Sequence, residues 1–512
     1  MKNKNIGVKL MTLMLVVLSS CSDFLNQKPQ TAFTQEEVFA DLDKIEPLIL
    51  GMYTSWRNSK KDRDGFIVML GTDESQQGTQ QVTSDADQGG LDKYDGFLAP
   101  SNKALEHQWE LRWPIISTAS STIYALKANK QDPARRDILL GDASFIRAAL
   151  SFDAAQYWGE IPVVDVDKLN EYGTARQPLS IVYAEIISDL EVAIEHLPDT
   201  QSDKRRATKT AAQAMLGKVY LYAQEESGLR DYAKAKEQFE AVISSGQHSL
   251  VANYADLWDP NKPNPSESIY SFQFAPYPDQ NQIQWQMGTR SVTNAKPYCY
   301  FGGYDLMMPT MYGYQMVADG GVWEDGDLRR DESIRFNFQY EGVDYGPVLY
   351  PDELDPHVKK YEDIRGDGVY SFYYSGKNVF YLRYSDILLC YAETLNETGN
   401  TGDAVTQVNK VRARAWGGAL PADKEWSTGM SQADFRTKIL DERMRELCFE
   451  GWRRMDLNRY GKLVELVSAR NHWASESGTI DDHHKVYPIP RQEIINNPDI
   501  EPTDQNPGYT NQ

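Results

Sequence analysis

Amphipathic helical periodicity runs through most of this 512-residue chain and restricts its fold more than any other feature. Apolar residues recur every three or four positions, which is typical of helices that bury one face. The segments with this pattern are 103–130, 143–158, 180–197, 208–226, 231–245, 383–398, 402–415 and 431–449. The sequence therefore predicts a mostly α-helical protein.

Two of the predicted helix pairs have the pattern of a tetratricopeptide-like repeat, in which small residues stand where paired helices cross. The first pair has Leu216-Gly217-x-x-Tyr220 and, after an insertion, Ala235-x-x-x-Phe239. The second pair has small and branched apolar residues at the same offsets without an insertion: Ala392, Leu395, Ala404, Val408 and Val411. We expect a helical-repeat scaffold, an architecture that serves binding more often than catalysis.

Residues 276–378 lose the helical period and become rich in tyrosine, glycine and aspartate. This stretch contains 13 of the 30 tyrosines of the chain in a fifth of its length. We expect a large, irregular, loop-rich insertion that forms the ligand-binding side of the scaffold. The predicted regions are 21–250 (helical), 251–380 (loop-rich and aromatic-rich) and 381–512 (helical), joined in one composite domain.

The first twenty residues have the order of an export signal. Three lysines precede a short apolar run, which ends in Leu18-Ser19-Ser20 before Cys21. This order is typical of a bacterial lipoprotein signal, so we expect residues 1–20 to be removed and Cys21 to carry the lipid. The alternative is an ordinary signal peptide with a chance cysteine. No later stretch approaches the roughly 18 apolar residues that span a bilayer, so lipid alone would hold the protein.

Charge and cysteine content exclude several classes of protein. The formal net charge is −21 for the whole chain, and nucleic-acid binding calls for the opposite sign. Beyond Cys21, cysteines stand only at positions 299, 390 and 448. This spacing gives neither a disulfide framework nor a zinc site, and we expect Cys390 and Cys448 to be buried thiols.

Several motifs occur in order along nearly all of residues 21–512. They include Ser22-Asp-Phe-Leu25, Gly159-Glu-Ile-Pro162, Leu382-Arg-Tyr-Ser-Asp386, Glu442-Arg-x-Arg-Glu446, Tyr487-Pro-Ile-Pro490 and Gln505-Asn-Pro-Gly-Tyr509. In this combination the chain resembles the RagB/SusD family of outer-membrane nutrient-binding lipoproteins from Bacteroidetes. The resemblance implies a protein that binds a nutrient, usually an oligosaccharide, without changing it covalently. It also implies an outward-facing lid on a SusC-like TonB-dependent transporter in the outer membrane, with no cofactor.

Ligand-contacting residues vary within that family, so the sequence itself must supply the candidates. A glycan site needs aromatic faces beside amide and carboxylate hydrogen-bonding groups. The candidates that meet this description are Asp73, Tyr94, Trp285, Tyr298, Tyr300, Tyr304 and Trp323. The aromatic residues that lie on helical stripes are assigned to packing instead: Trp109, Trp113, Trp158 and Tyr220.

Clustered charges leave other hypotheses open. Glu442, Glu446 and Glu450 share a helix face and could be catalytic, but nearby arginines favour an ion-pair network. Arg383 and Asp386 are predicted to form a buried or half-buried pair that ties helices together. An acidic cluster could hold a calcium ion, although its spacing fits no defined calcium loop and favours a solvated turn; its members are Asp325, Asp327, Asp331 and Glu332.

Two further classes of function remain as alternatives. A lipid-anchored glycoside hydrolase would require two carboxylates about 5 Å or about 6.5–9.5 Å apart across a cleft. A scaffold that binds only protein would use the tyrosine-rich loops as its interface, since aromatic residues are also enriched there.

Overall fold

The structure is a computed structural model, and it describes residues 34–164, 174–276, 278–295, 299–336, 339–340, 342–344, 356–365 and 372–510. The leader and Cys21 lie outside these residues, so the signal peptide and the lipid anchor stay predictions. None of the helices in the described ranges is long and apolar enough to cross a membrane.

The described residues are mostly helical, as the periodicity predicts. The α-helices of the first half are α1 (Gln35–Phe39), α2 (Leu42–Asn58), α3 (Thr79–Ser84), α4 (Ala86–Lys93), α5 (Lys103–Ala128), α6 (Pro133–Trp158), α7 (Leu179–His196), α8 (Lys209–Tyr222) and α9 (Tyr232–Ser244). The short helices of the irregular region are α10 (Ile283–Met287), α11 (Arg290–Ala295), α12 (Met311–Tyr314) and α13 (Arg329–Ser333). The last helices are α14 (Tyr384–Glu397), α15 (Thr401–Ala415), α16 (Gln432–Leu447), α17 (Arg453–Arg459), α18 (Leu463–Arg470), α19 (His472–Ser477) and α20 (Arg491–Asn496).

Strands occur only as short antiparallel pairs in the described part of the chain. The strands are β1 (Ser75–Gln76), β2 (Ile161–Pro162), β3 (Arg176–Gln177), β4 (Ser268–Phe272), β5 (Met308–Pro309), β6 (Ile334–Arg335), β7 (Gln339–Tyr340), β8 (Val343–Asp344), β9 (His357–Val358) and β10 (Val379–Arg383). The pairs are β1 with β5, β2 with β3, β4 with β10, β6 with β9 and β7 with β8. The β4–β10 pair connects the two ends of the irregular region, because one strand precedes it and the other follows it.

The helices pack in chain order, each against its neighbour. Helices α5 to α9 form one continuous array, α9 then packs against α14, and α14 packs against both α15 and α16. Polar residues cap several of these helices: the side chains of Asn102, Thr208 and Ser431 accept a backbone N–H of the first turn. The result is the predicted helical-repeat scaffold.

Gly217 lies at the crossing of α8 and α9, where the repeat pattern requires a small residue. A Cβ atom built on Gly217 would lie 2.5 Å from the ring of Phe239. Ala235 and Phe239 on α9 are both fully buried. The close approach of these helices therefore depends on the missing side chain of Gly217, and the first predicted repeat is confirmed.

Helices α14 and α15 form the second predicted repeat with a connection of only three residues. Its predicted crossing residues are all buried in one hydrophobic cluster: Ala392, Leu395, Ala404, Val408 and Val411. Phe435 of α16 completes this cluster. The helical-stripe aromatics are core residues as expected, with Trp109, Trp158 and Tyr220 buried and Trp113 half-buried against the same core.

The carboxylates of α16 form a buried ion-pair network rather than an open cluster. Glu442 contacts Arg329 at 2.8 Å and Arg412 at 2.6 Å. Glu446 contacts Arg329 at 3.1 Å and also meets Arg383 and Arg414. Burial alone would raise the pKa of Glu442, but the surrounding guanidinium groups lower it to about 2. These carboxylates join α16 to the irregular region and to α15.

The predicted pairing of Arg383 with Asp386 is wrong, although both residues are buried. Arg383 turns to Glu446 and Glu450, whereas Asp386 binds Lys218. Asp386 lies in the first turn of α14, while Arg383 precedes that helix. The two side chains therefore do not pair with each other: Arg383 contacts Glu446 of α16, whereas Asp386 joins α14 to α8 through Lys218 and to α16 through Arg443 at 3.0 Å. The three cysteines of the described residues are buried and form no disulfide, as expected for Cys390 and Cys448.

Candidate functional site

Three segments of the irregular region meet around the indole ring of Trp285. Trp285 lies on α10, and the chain returns past this helix at residues 299–305 and again at 372–375. The Trp285 carbonyl accepts the N–H of Tyr304 at 3.0 Å. On the other side, Asn281 and Ser375 exchange backbone hydrogen bonds of 2.8 Å in both directions. Backbone pairing thus positions aromatic side chains from distant parts of the sequence at one place.

Glycines allow the second segment to lie directly on α10. A Cβ atom on Gly303 would lie 2.2 Å from the Trp285 carbonyl oxygen and 2.7 Å from the Cα of Gly288. No other residue type fits at that distance from the backbone. The glycine content that marks this region in the sequence therefore serves close packing of one segment on another.

The ring of Trp285 supports a group of tyrosines that reach solvent. Trp285 is 5 % exposed, and its ring centroid lies 5.2 Å from Tyr304 and 4.4 Å from Tyr373. Phe372 contacts both Trp285 and Tyr373 from the buried side. Tyr304 and Tyr373 are half-buried, and Tyr374 is 36 % exposed. We call Trp285, Tyr304, Phe372, Tyr373 and Tyr374 the aromatic surface.

Arg290, beside the aromatic surface, and Gln286, on the same helix as Trp285, each have a buried polar atom without a hydrogen-bond partner among the described residues. The guanidinium carbon of Arg290 lies 5.2 Å from the ring centroid of Tyr304, and its Nε is unpaired. The Oε1 atom of Gln286, on the same helix as Trp285, is also unpaired. Buried polar atoms are normally satisfied, so unpaired ones beside exposed rings indicate a place where a ligand or water binds. This arrangement suits a ligand that has a flat apolar face edged by hydroxyl groups.

Asp73, a predicted ligand-contacting residue, lies in the interior instead. Its carboxylate is fully buried and accepts hydrogen bonds of 2.7 Å from Nε and Nη2 of Arg453. Arg470 adds a third contact at 2.9 Å. Burial alone would raise the pKa of Asp73, but the two arginines lower it. Asp73, predicted as a ligand contact, therefore serves an interior ion pair instead, because this loop packs beneath α17 and α18.

Tyr94 and Trp323 are also interior residues, contrary to the expectation of exposed rings. The Tyr94 hydroxyl donates to the Gly71 carbonyl and accepts from Arg454. The indole N–H of Trp323 donates to the Gly313 carbonyl at 2.7 Å. Both side chains use their polar atoms to hold irregular backbone against the core. Trp285 is likewise less exposed than expected, because it lies under the tyrosines.

The other predicted contacts are Tyr304, Tyr300 and Tyr298. Tyr304 is part of the aromatic surface, and Tyr300 is half-buried on the same returning segment. Tyr298 lies outside the described residues. Their contact with a ligand stays a prediction.

The acidic cluster proposed for calcium does not converge in the structure. Asp327 is buried and binds Arg329 at 2.7 Å, whereas Glu332 binds Lys359 at 3.1 Å. Asp325 and Asp331 are exposed. The four carboxylates thus face different cations or solvent.

Asp481 meets the adjacent histidines His483 and His484 in one tight turn. Nδ1 of His484 accepts the N–H of Asp481 at 3.0 Å. Burial lowers the pKa of His484 to about 4, with the neighbouring His483 adding to the effect. The three groups therefore already serve to close the turn.

Phe372, Tyr373, Tyr374 and Arg290 belong to the site but were not among the sequence candidates. Three consecutive aromatic residues in a stretch without helical period were a usable signal, because such a run cannot bury every ring on one face. Arg290 carries no such signal. Its relevance depends on the fold placing its guanidinium group over Tyr304.

The helical-repeat scaffold with an aromatic surface on irregular segments defines a class of binding proteins, and comparison with known proteins gives its family. Residues 352–509 match the model of the SusD family, and residues 23–221 match a model described as starch-binding and associating with the outer membrane. The chain belongs to the SusD/RagB family.

Relatives and solved structures agree with this membership. The chain is 26 % identical to SusD-like protein P2 of Formosa agariphila, over 97 % of this chain and 98 % of that one. It is 25 % identical to the starch-binding protein SusD of Bacteroides thetaiotaomicron, over 71 % and 72 %. A SusD homolog from the same species has a similar fold, with a TM-score of 0.78, 21 % identity and coverage of 93 % and 99 %. Surface glycan-binding protein A from Bacteroides thetaiotaomicron, in complex with laminarihexaose, also has a similar fold. Its TM-score is 0.74, its identity 18 %, and the match covers 91 % of this chain and 99 % of that one.

Proposed function

We propose that this protein binds an oligosaccharide at the cell surface and delivers it to a SusC-like TonB-dependent transporter in the outer membrane. The observation that carries the proposal is the aromatic surface, where Tyr374 is exposed, Tyr304 and Tyr373 are half-buried, and Arg290 lies by Tyr304 with an unpaired Nε. Sugar rings offer an apolar face for stacking and hydroxyl groups for hydrogen bonds. Similarity to proteins named for binding starch and laminarin supports a glycan as the ligand class.

In this proposal the protein holds the glycan without cleaving it. The patterned carboxylates of α16 are buried against arginines, so they lack the open cleft that a pair of hydrolytic carboxylates requires. Incubation of the purified protein with glycans, followed by product analysis, tests this part. Release of shorter sugars would contradict it and favour the hydrolase alternative.

Calorimetric titration with laminarihexaose, maltohexaose and other oligosaccharides tests the binding proposal. We expect at least one glycan to bind the wild-type protein. The double variant Tyr304→Ala/Tyr374→Ala should lose about tenfold or more in affinity, because truncating interface aromatics removes stacking area. Tyr124→Ala is the matched control, since Tyr124 is an exposed tyrosine on α5. Equal affinities of wild type and double variant would contradict a role of the aromatic surface.

The partner and the anchor require experiments on membranes. Purification of the protein from native outer membranes should recover one large barrel transporter as its main companion, whereas a scaffold for other proteins would bring different partners. Cys21→Ala should release the protein from the membrane while leaving its glycan affinity unchanged. Retention of this variant in washed membranes would contradict a lipid anchor at Cys21.

A further inference from the structure

The insertion in the first helical repeat forms one wall of a second cleft. Nine residues connect α8 to α9, whereas three connect α14 to α15 in the other repeat. The longer connection includes a 3₁₀ turn at Glu225–Ser227. Between this connection and the end of α17 lies a cleft of about 380 Å³, within the roughly 300–1,000 Å³ range of small-molecule sites. It shares no residue with the aromatic surface.

Two buried amide oxygens in this cleft have no hydrogen-bond partner among the described residues: Oε1 of Gln224 and Oδ1 of Asn458. The orientation of both amides is determined by their nitrogens. Nε2 of Gln224 donates to the Ala155 carbonyl at 3.0 Å, and Nδ2 of Asn458 donates to the Lys485 carbonyl at 2.9 Å. A flipped amide would place its oxygen against a carbonyl oxygen. Both acceptors are therefore held in place and left for a donor that is not part of the described chain.

Charged and apolar side chains around these oxygens restrict the chemistry of the ligand. Arg230 uses only its Nε, toward the Ala223 carbonyl at 2.8 Å, and has no ion pair within the described residues. Glu225 and Glu226 also line the cleft and are exposed. An anionic ligand would meet these two carboxylates, and a cationic ligand would meet Arg230. A neutral ligand that both donates and accepts hydrogen bonds satisfies all of these groups.

Leu179 and Val486 add an apolar contact on the same cleft. A purely apolar ligand would leave the two amide oxygens unsatisfied, at a cost in free energy. A sugar has hydroxyl donors and acceptors on its edge and C–H groups on its faces, so it matches the oxygens, Arg230 and the apolar wall together. Tyr222 also lines the cleft but is buried, so the apolar contact with a sugar would come from Leu179 and Val486.

We propose that this cleft is a second sugar-binding site, which holds one or two sugar units through Gln224, Asn458 and Arg230. The inference rests on the proposed function in that its ligand is a glycan. It adds a second point of contact on the scaffold itself, formed by the insertion of the first repeat. A chain that binds at two separate places retains a polysaccharide longer than a single site does, because the second contact forms at high effective concentration.

Crystallography with glucose as the probe tests the cleft independently of the aromatic surface. Crystals of Tyr304→Ala/Tyr374→Ala soaked in concentrated glucose should show a sugar ring in the cleft with hydroxyl groups at hydrogen-bond distance from both amide oxygens. The same soak of Gln224→Met/Asn458→Leu should show no sugar there. Water alone at both oxygens in the soaked aromatic-surface variant would overturn the inference.

Titration provides the second measurement. In the aromatic-surface background, Gln224→Met/Asn458→Leu should weaken the remaining glucose or laminarihexaose affinity at least tenfold, and an unchanged affinity would also overturn the inference. If this variant does not fold, Leu179→Trp fills the cleft without removing a hydrogen bond and should give the same loss. Failure of the wild type to bind any oligosaccharide would contradict the proposed function, whereas glucose density in the cleft would still support the second site.

Discussion

The carboxylate network of α16 and the aromatic surface use their side chains in opposite ways. In the network, Glu442 and Glu446 each meet three arginine side chains within the protein. At the aromatic surface, Arg290 keeps an unpaired Nε beside the half-buried ring of Tyr304, and Tyr374 is exposed. Charges that are paired internally stabilise a structure, whereas rings that reach solvent are available to a ligand. Variants in the two regions should therefore separate stability from binding.

Glu446→Ala should produce the largest effect, and it should act on stability. Removing this carboxylate leaves Arg329, Arg383 and Arg414 buried without their shared partner, and breaking a buried ion pair costs about 3–5 kcal/mol. Chemical denaturation should show this loss in the free energy of unfolding. Glu476→Ala is the control, because the side chain of Glu476 is 67 % exposed.

The same variant sharpens the comparison between the regions. Below its unfolding temperature, Glu446→Ala should bind glycan with wild-type affinity, because the network does not touch the aromatic surface. Lost affinity in a folded Glu446→Ala protein would show that the two regions are coupled.

Acid should weaken the scaffold through Glu442. The folded-state pKa of Glu442 is about 2, against 4.5 for the unfolded chain. A lowered pKa gives stability that is fully present above pH 4.5 and disappears as the pH falls toward 2. The loss is on the order of 3 kcal/mol for this group. Denaturation at pH 7, 4.5 and 3 measures it, and Glu442→Gln should show a smaller decline over that range; an equal decline would assign the acid sensitivity to other groups.

Gly217→Ala should cost less, about 1–3 kcal/mol of unfolding free energy, because it overpacks the α8–α9 crossing. The new Cβ would lie 2.5 Å from the ring of Phe239. Gly51→Ala on α2 is the matched control, since a Cβ there meets nothing within 4 Å and alanine favours helix. Thermal unfolding distinguishes the two, and partial rescue of Gly217→Ala by Phe239→Leu would locate the strain at the crossing. Equal melting temperatures of the two glycine variants would contradict the assigned role of Gly217.

The sequence predicted the scaffold well because its pattern is local. Helical periodicity and the offsets of Gly217 and Phe239 depend on residues a few turns apart, so they are visible without a fold. The ion-pair network of Glu442 and Glu446 was also predicted, because glutamates four residues apart lie on one face of the same helix. Of its partners, the nearby Arg445 does contact Glu442 at 3.0 Å, but Arg329 and Arg383 were not predicted, because they come from distant segments.

The site was harder to predict because aromatic residues in loops serve both packing and binding. Tyr94 and Trp323 have the loop context of a ligand contact, yet each ends in a hydrogen bond to a backbone carbonyl inside the protein. Tyr304 has the same context and reaches solvent. What distinguishes these residues is the position of segments far away in sequence, and periodicity carries no information about that position.

Arg290→Met should give the smallest effect and should act on binding alone. Its guanidinium group lies over Tyr304 and its Nε is unpaired, so a glycan hydroxyl would lose one hydrogen bond, worth about 1 kcal/mol or roughly fivefold in affinity. Calorimetric titration measures this change, and the melting temperature should stay near that of the wild type. Arg491→Met, at an exposed arginine that begins α20, controls for the loss of one positive charge. A fall in melting temperature without a change in affinity would assign Arg290 to the support of its loop and remove it from the proposed binding surface.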